Sequence, residues 1–369
     1  MWFTCKKEIL QEGINIASRA ASNKTTYPIL EGILIRAIDG KVILTATDLD
    51  FGIETNIDAQ VTEPGTIVIN SKLFQDLIRK LPNEDITLRV SDRNVNISCK
   101  NSEFNIVGTS PEDFPSLPLI NENTMYELSE DILKNMIKQT IFAVAQDETR
   151  PIFTGILFEV KESMLSFVAL DGYRLSIKKE RLDGASDINA VIPGKALSEI
   201  SKILDIKGEK VKITFTPNHI LFNLEGTKVI SRLLEGDFIN YRQIIPDEYS
   251  LKVNVDRGEL LHSIERASLL SREGKTNLIR FDIKDNSIII TSNSQLGNVC
   301  EKVDVETQGD DIKIAFNAKY FLDALRIIEA DNIILELSTS VSPCIVKKCD
   351  NEDEDFIYLV LPVRDASIK

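Results

Sequence analysis

Histidine and long apolar runs are both scarce in this chain, and each scarcity removes a class of function. Only two histidines occur in 369 residues. His219 sits in the turn-like "TPNHI" and His262 makes an H-x-x-E with Glu265, so neither has the partners that a zinc site or a catalytic triad requires. The five cysteines, Cys5, Cys99, Cys300, Cys344 and Cys349, are odd in number and scattered. They imply no disulfide framework and suit thiols in a reducing compartment. "GKT" at 274–276 is preceded by Leu269 where a phosphate-binding loop needs glycine. No run of eighteen apolar residues exists, and "MWFTCKKEIL" is charged by its sixth residue, so neither a membrane span nor a signal peptide is expected. These absences predict a soluble cytoplasmic protein without metal, cofactor, membrane partner or catalytic centre.

What the chain does have is a repeat. "VINSKLFQDLIRKL" at 68–81 is written again as "VIPGKALSEISKIL" at 191–204 and "AFNAKYFLDALRII" at 315–328. Lys72, Lys195 and Lys319 then coincide, 123 and 124 residues apart. Apolar Phe74, Leu197 and Phe321 fall in register, as do the acids Asp76, Glu199 and Asp323 and the bases Arg79, Lys202 and Arg326. Helical periodicity puts the charges on one face and Leu73, Phe74, Leu77, Ile78 and Leu81 on the other. The same offset joins "PILEGILI" at 28–35 to "PIFTGILF" at 151–158 and "ATDLDFGI" at 46–53 to "ALDGYRLS" at 169–176. A second amphipathic segment opens each copy, with Leu10, Leu133 and Leu261 as the aligned apolar positions. Three copies of one unit follow.

Between the helical segments lie short alternating runs such as "KVILTATD", "KVKITFT" and "SIIITSN", separated by Asp, Asn and Gly. They read as antiparallel strands. Each unit is therefore an α+β domain of two helices packed on antiparallel sheet, with expected boundaries at 1–120, 125–246 and 250–369.

Charge supplies the functional hint. The chain carries a formal charge of −14, yet bases recur at fixed helical positions. A solvated helix face explains any one of them; recurrence in three copies suggests a surface meeting a periodic polyanion, with an acidic exterior repelling it elsewhere.

Together, "YPILEGILI", "TATDLDFGI", "ALDGYRL", "EGDFINYRQIIP" and "LVLPVR", in this order and on this repeat, resemble the bacterial DNA polymerase III β subunit family, the sliding clamps. The likeness covers essentially the whole chain. It implies three clamp domains per subunit and a head-to-tail homodimeric ring whose twelve helices line a hole. Helices about 10 Å apart in such a circle leave room for hydrated B-form duplex. Function would then be processivity: a non-catalytic ring held on double-stranded DNA by topology, tethering the replicative DNA polymerase, opened by a clamp-loader complex and shared with other clamp-motif proteins. The DNA-facing candidates are Lys24, Lys72, Arg79, Lys80, Lys138, Gln146, Arg150, Lys195, Lys202, Arg266 and Arg326. Of these, Lys24, Gln146 and Arg150 come from the resemblance and the helical bases from the charge pattern.

The resemblance further implies a partner-peptide pocket at Phe153, Leu170, Gly172, Tyr173, Arg174, Leu175, Ile239, Gln243, Ile244, Asn317, Tyr320, Val341, Pro343, Val360, Leu361, Pro362, Val363 and Arg364. A short extended peptide with leucine and aromatic anchors suits such a groove. Two departures bear on it: "DASIK" continues beyond Arg364, and Ile239 and Gln243 stand where the family often has Pro and Arg. At the subunit boundary the matching positions are Phe104 and Ile106, facing Leu269 and Leu270. The alternative is a three-domain peptide-binding scaffold that never encircles DNA; a carboxylate-dependent nuclease has no clustered motif to support it.

Overall fold

The computed structural model describes residues 1–22, 25–120, 125–204, 209–273, 277–349 and 355–365. Six α-helices stand among them: α1 Lys7–Ala17, α2 Ser71–Lys80, α3 Glu130–Lys138, α4 Gly194–Ile203, α5 Arg257–Glu273 and α6 Ala318–Leu325. Two starts are set by asparagine, whose side-chain oxygen satisfies a backbone N–H that the first turn leaves unpaired. Asn70 accepts from Leu73 N–H at 3.0 Å and Asn317 from Lys319 N–H at 3.0 Å.

Burial follows the repeat. Phe74, Leu197 and Phe321 are wholly buried, while Lys72, Lys195 and Lys319 are exposed. In α1 the buried row is Leu10, Ile14 and Ala17, spaced for one helix face. Two expectations need correction. Leu260, fourth in α5 as Leu10 is fourth in α1, is the buried residue of the third copy, and Leu261 is only half-buried. Leu73, placed on the apolar face by periodicity, is exposed.

The shared glycines have a steric reason. A 3-10 turn, Pro28–Glu31 or Pro151–Thr154, delivers the chain into a strand at Gly32 or Gly155. A Cβ on Gly32 would come within 2.4 Å of Val68, and one on Gly155 within 2.7 Å of the Ile192 carbonyl. Only glycine lets the neighbouring strand approach so closely.

The strands form four antiparallel sheets of five, eight, nine and four members among the described residues. Two of them run across the expected joints. Phe51–Asp58 pairs with Thr227–Arg232, and Arg174–Arg181 pairs with Phe356–Val360. Compact units therefore do not coincide with sequence repeats. One contains 1–131 and 199–233, the other 132–198 and 234–369, so the central repeat is shared out between them.

The second unit has two hydrophobic clusters. The larger includes Phe281, Phe316 and Phe321, whose ring centroids lie 4.9–5.6 Å apart. Burying each such ring stabilises the fold by roughly 1.5–3 kcal/mol. The smaller gathers Phe153, Leu157, Leu170, Leu175 and Tyr241 on the other face of the nine-stranded sheet. Cys5, Cys99 and Cys344 are buried; burial, aided by Asp85, pushes the Cys5 thiol up to about 12, which keeps it protonated. Among the described residues no helix is long and apolar enough to cross a membrane.

Candidate functional site

The strand Met164–Leu170 ends in a turn built by one carboxylate. Asp171 Oδ1 accepts the N–H groups of Tyr173 at 2.9 Å and Arg174 at 3.1 Å. Gly172, at φ +90°, supplies the left-handed step. The first unit repeats this turn: Asp48 Oδ1 accepts from Asp50 and Phe51, with Leu49 at φ 83° in the glycine's place. The decisive difference is the residue that follows. Phe51 is an ordinary buried apolar side chain, whereas its counterpart is Arg174.

Arg174 is 5% exposed and is held by two carboxylates. Its Nε donates to Asp171 Oδ2 at 2.9 Å and its Nη1 to Asp323 Oδ2 at 2.7 Å. The guanidinium lies 4.7 Å from the Tyr320 ring centroid and 5.5 Å from that of Phe142. Burial opposes its charge, but the hydrogen bond with Asp323 and the nearby carboxylates outweigh this and hold its pKa above the usual arginine value. Such a charge survives burial because these carboxylates offset its desolvation.

The repeat departs from itself at this point. Asp76 pairs with Arg79 at 2.6 Å and Glu199 with Lys202 at 2.6 Å, each three residues on. Asp323 turns instead to Arg174, and Arg326, the base three residues on, pairs with Glu265 at 2.8 Å. Asp171, Asp323, Phe142 and Tyr358 were not among the expected site residues. Two of them were findable: Asp171 stands in register with Asp48, and Asp323 with Asp76 and Glu199.

Around this guanidinium the eighteen expected pocket residues sort by exposure. Phe153, Leu170, Arg174, Leu175 and Val360 are buried; Ile244, Asn317, Tyr320, Pro343, Leu361 and Pro362 are half-buried; Gly172, Tyr173, Ile239, Gln243, Val341, Val363 and Arg364 are exposed. Phe153, Leu170, Leu175, Ile244 and Leu361 share one apolar cluster. Val360 does not join it but packs with Tyr358 in the larger core on the other sheet face, as strand alternation requires. Tyr173, 61% exposed, stacks on Tyr320 with centroids 6.2 Å apart. The Tyr358 hydroxyl donates to the Tyr320 carbonyl at 2.8 Å and fixes that helix turn. The C-terminal segment completes the rim, Leu361 N–H donating to the Tyr173 carbonyl at 2.8 Å and Val363 N–H to the Ala315 carbonyl at 2.8 Å. The result is an apolar floor, a buried cation and an aromatic lip.

The expected DNA-facing bases are less free than the repeat suggested. Lys24 lies outside the described residues. Lys72, Lys80, Lys195, Gln146 and Arg150 are exposed, and the Arg150 guanidinium stands 5.7 Å from the Phe153 ring. Arg79, Lys202 and Arg326 carry the ion pairs given above. Lys138 pairs with Glu329 at 2.6 Å and Arg266 with Glu301 at 2.6 Å. Exposed pairs of this kind hold by about 0–1 kcal/mol, so a phosphate could displace the carboxylate.

At one sheet margin, the outer strand Ser102–Val107 carries Phe104, 36% exposed, and half-buried Ile106. In the other unit, the outer strand Gly297–Asp304 has an unpaired edge among the described residues, and α5 presents Leu269, 64% exposed, beside half-buried Leu270. Exposed edges with apolar side chains are ready to pair with another strand.

Comparison with known proteins gives three family-model matches that run through the chain in order. The N-terminal, central and C-terminal domains of the DNA polymerase III beta subunit match residues 1–118, 127–240 and 242–364. The "Beta sliding clamp" of Staphylococcus aureus is 38% identical over 376 residues, 99% of each chain. Among solved structures, the DNA polymerase sliding clamp of Bacillus subtilis superposes with a TM-score of 0.95 at 36% identity, covering 99% of both chains. The Pseudomonas aeruginosa sliding clamp bound to griselimycin gives 0.94 at 27% identity, over 99% of this chain and 100% of that one.

Proposed function

Because the chain belongs to the DNA polymerase III beta subunit family and is a DNA sliding clamp, we propose that it closes as a homodimer around double-stranded DNA and tethers its partners through the Arg174 pocket. It is a non-catalytic processivity subunit whose partners are DNA and DNA polymerase. Under the proposed reading, 1–120, 125–246 and 250–369 are the three clamp domains. The replicative polymerase, the clamp loader and other clamp-motif proteins compete for one pocket per subunit, in the cytoplasm.

One observation carries the ring. Each unit has an outer strand with an open edge among the described residues: Ser102–Val107 in one, bearing Phe104, and Gly297–Asp304 in the other, packed against the α5 helix that carries Leu269 and Leu270. Unlike ends joined head to tail by two copies close a ring with twofold-related contacts. The paired state of Arg79, Lys138, Lys202, Arg266 and Arg326 favours loose phosphate contact, since a ring that must slide gains nothing from tight binding at one place. A scaffold that never encloses DNA has no specific observation in its favour.

Native mass spectrometry and light scattering test closure. Twice the 41.4 kDa chain mass is expected at micromolar concentration, and a monomer at every concentration excludes the ring.

A further inference from the structure

We propose that Arg280 and Asp365 form a latch that positions the pocket-bearing end of the chain, so that peptide affinity depends on a pair outside the pocket. This inference rests on the peptide-site reading above.

Beyond Val360 the chain leaves the sheet, and the segment from Leu361 to Asp365 has no strand assignment. It is fastened at alternate residues. Leu361 N–H donates to Tyr173, Val363 N–H to Ala315, and the Asp365 carboxylate accepts from Arg280 Nε at 2.5 Å. Pro362 has no N–H to contribute. Arg280 and Ala315 are themselves directly opposed across the strands Leu278–Lys284 and Ile312–Asn317. The second and third fastenings therefore grip the same cross-strand pair, and the segment is tied down at a single rigid point of the four-stranded sheet.

The pair is built into the structure: the Asp365 side chain is 9% exposed and that of Arg280 27%. Pro362, Val363 and Arg364 lie between or beside these fastenings, and they form the rim against which a peptide would close. Releasing the Asp365 end gives this rim conformational freedom that a peptide must take away on binding, which lowers affinity without removing a contact. Asp365 lies one residue beyond the C-terminal family match, which ends at 364.

Arg280 and Asp365 are thus positioning residues. The test uses the full chain and a fluorescein-labelled synthetic peptide with leucine and phenylalanine anchors, read by anisotropy and stopped flow. Asp365→Asn and Arg280→Gln should each weaken binding by about tenfold, mainly through slower productive association, with unfolding midpoints close to that of the unmodified chain. A chain ending at Arg364 should behave like Asp365→Asn. The exchanged pair, Arg280→Asp with Asp365→Arg, should recover most of the affinity, which a general loss of stability would not allow. Failure of the unmodified chain to bind would overturn the peptide-site reading and this inference with it. If the unmodified chain binds and the folded single variants bind equally well, or the exchange recovers nothing, the latch alone is overturned.

Discussion

Arg174 and Asp323, 149 residues apart in sequence, meet at 2.7 Å. The acid in this pair is the same repeated acid that, in the other two copies, neutralises a base on its own helix. One position thus serves its own helix in two copies, with Glu199 also holding Arg19 at 3.0 Å, and site construction in the third. Removing the Asp323 charge should therefore cost more than removing its counterpart. Asp323→Asn should lower stability by about 1–3 kcal/mol and weaken peptide binding, while Asp76→Asn should cost about 0–1 kcal/mol because its pair is exposed. Urea midpoints measured side by side decide this; equal shifts would mean that Arg174 is held by Asp171 alone.

Burial separates pocket wall from pocket rim. Tyr173→Asp and Val363→Asp act on exposed side chains, and should abolish peptide binding while leaving the melting temperature within a few degrees. Leu175→Asp places a charge in the apolar cluster and should unfold the second unit, so it cannot serve as a binding test. Calorimetric titration beside thermal melts distinguishes the two classes.

Under the proposed reading, the helix ion pairs restrain DNA affinity. Asp76→Asn combined with Glu199→Gln frees Arg79, Lys202 and Arg19, which also pairs with Glu199 at 3.0 Å, and should tighten binding to short duplex severalfold at low salt, with a steeper salt dependence. Lys72→Glu combined with Lys195→Glu should do the opposite and impair loading. Affinity unchanged in both variants, across a salt series, would remove these helices from the DNA surface.

Acid sensitivity has an assignable part. Burial would raise the Glu159 pKa, but hydrogen bonds from Arg242 and Tyr241 and the nearby bases outweigh it and hold the carboxyl below its usual value. A depressed folded-state pKa lends stability that is present above the unfolded value near 4.5 and lost as pH falls through the folded one. Glu159→Gln should therefore narrow its stability deficit as pH drops below about 4.5. A deficit constant from pH 7 to pH 3 would locate the acid response elsewhere.

The repeat was legible because its buried rows and its glycines answer to local geometry: Phe74, Leu197 and Phe321 by helical period, Gly32 and Gly155 by strand contact. Sheet continuity was not, since nothing in "TKVISR" indicates that it pairs with "FGIETNID" 172 or more residues earlier. The pocket positions came through resemblance, yet exposure could not be read with them. Val360 and Leu175 lie on neighbouring paired strands and face opposite sides of the sheet, and only the packing on each face says that both are core. Charge patterning found the bases and missed their partners, because Glu301 and Glu329 reach them from other elements. Leu261 was misplaced by one residue because both Leu260 and Leu261 satisfy an apolar pattern, and the helix start at Arg257 decides between them.

The central claim is that enclosure, not affinity, keeps this protein on DNA. Gel-filtration retention after loading onto nicked circular duplex, with the matching clamp loader and ATP, measures it most directly. The account predicts that the ring stays on the circle through a rise in salt that dissolves ordinary phosphate contacts, because screening weakens charge pairs and leaves a topological link intact. Linearising the same DNA should release it at any salt. Equal, salt-sensitive loss from circular and linear templates would contradict the account and leave a protein that merely adheres to the DNA surface.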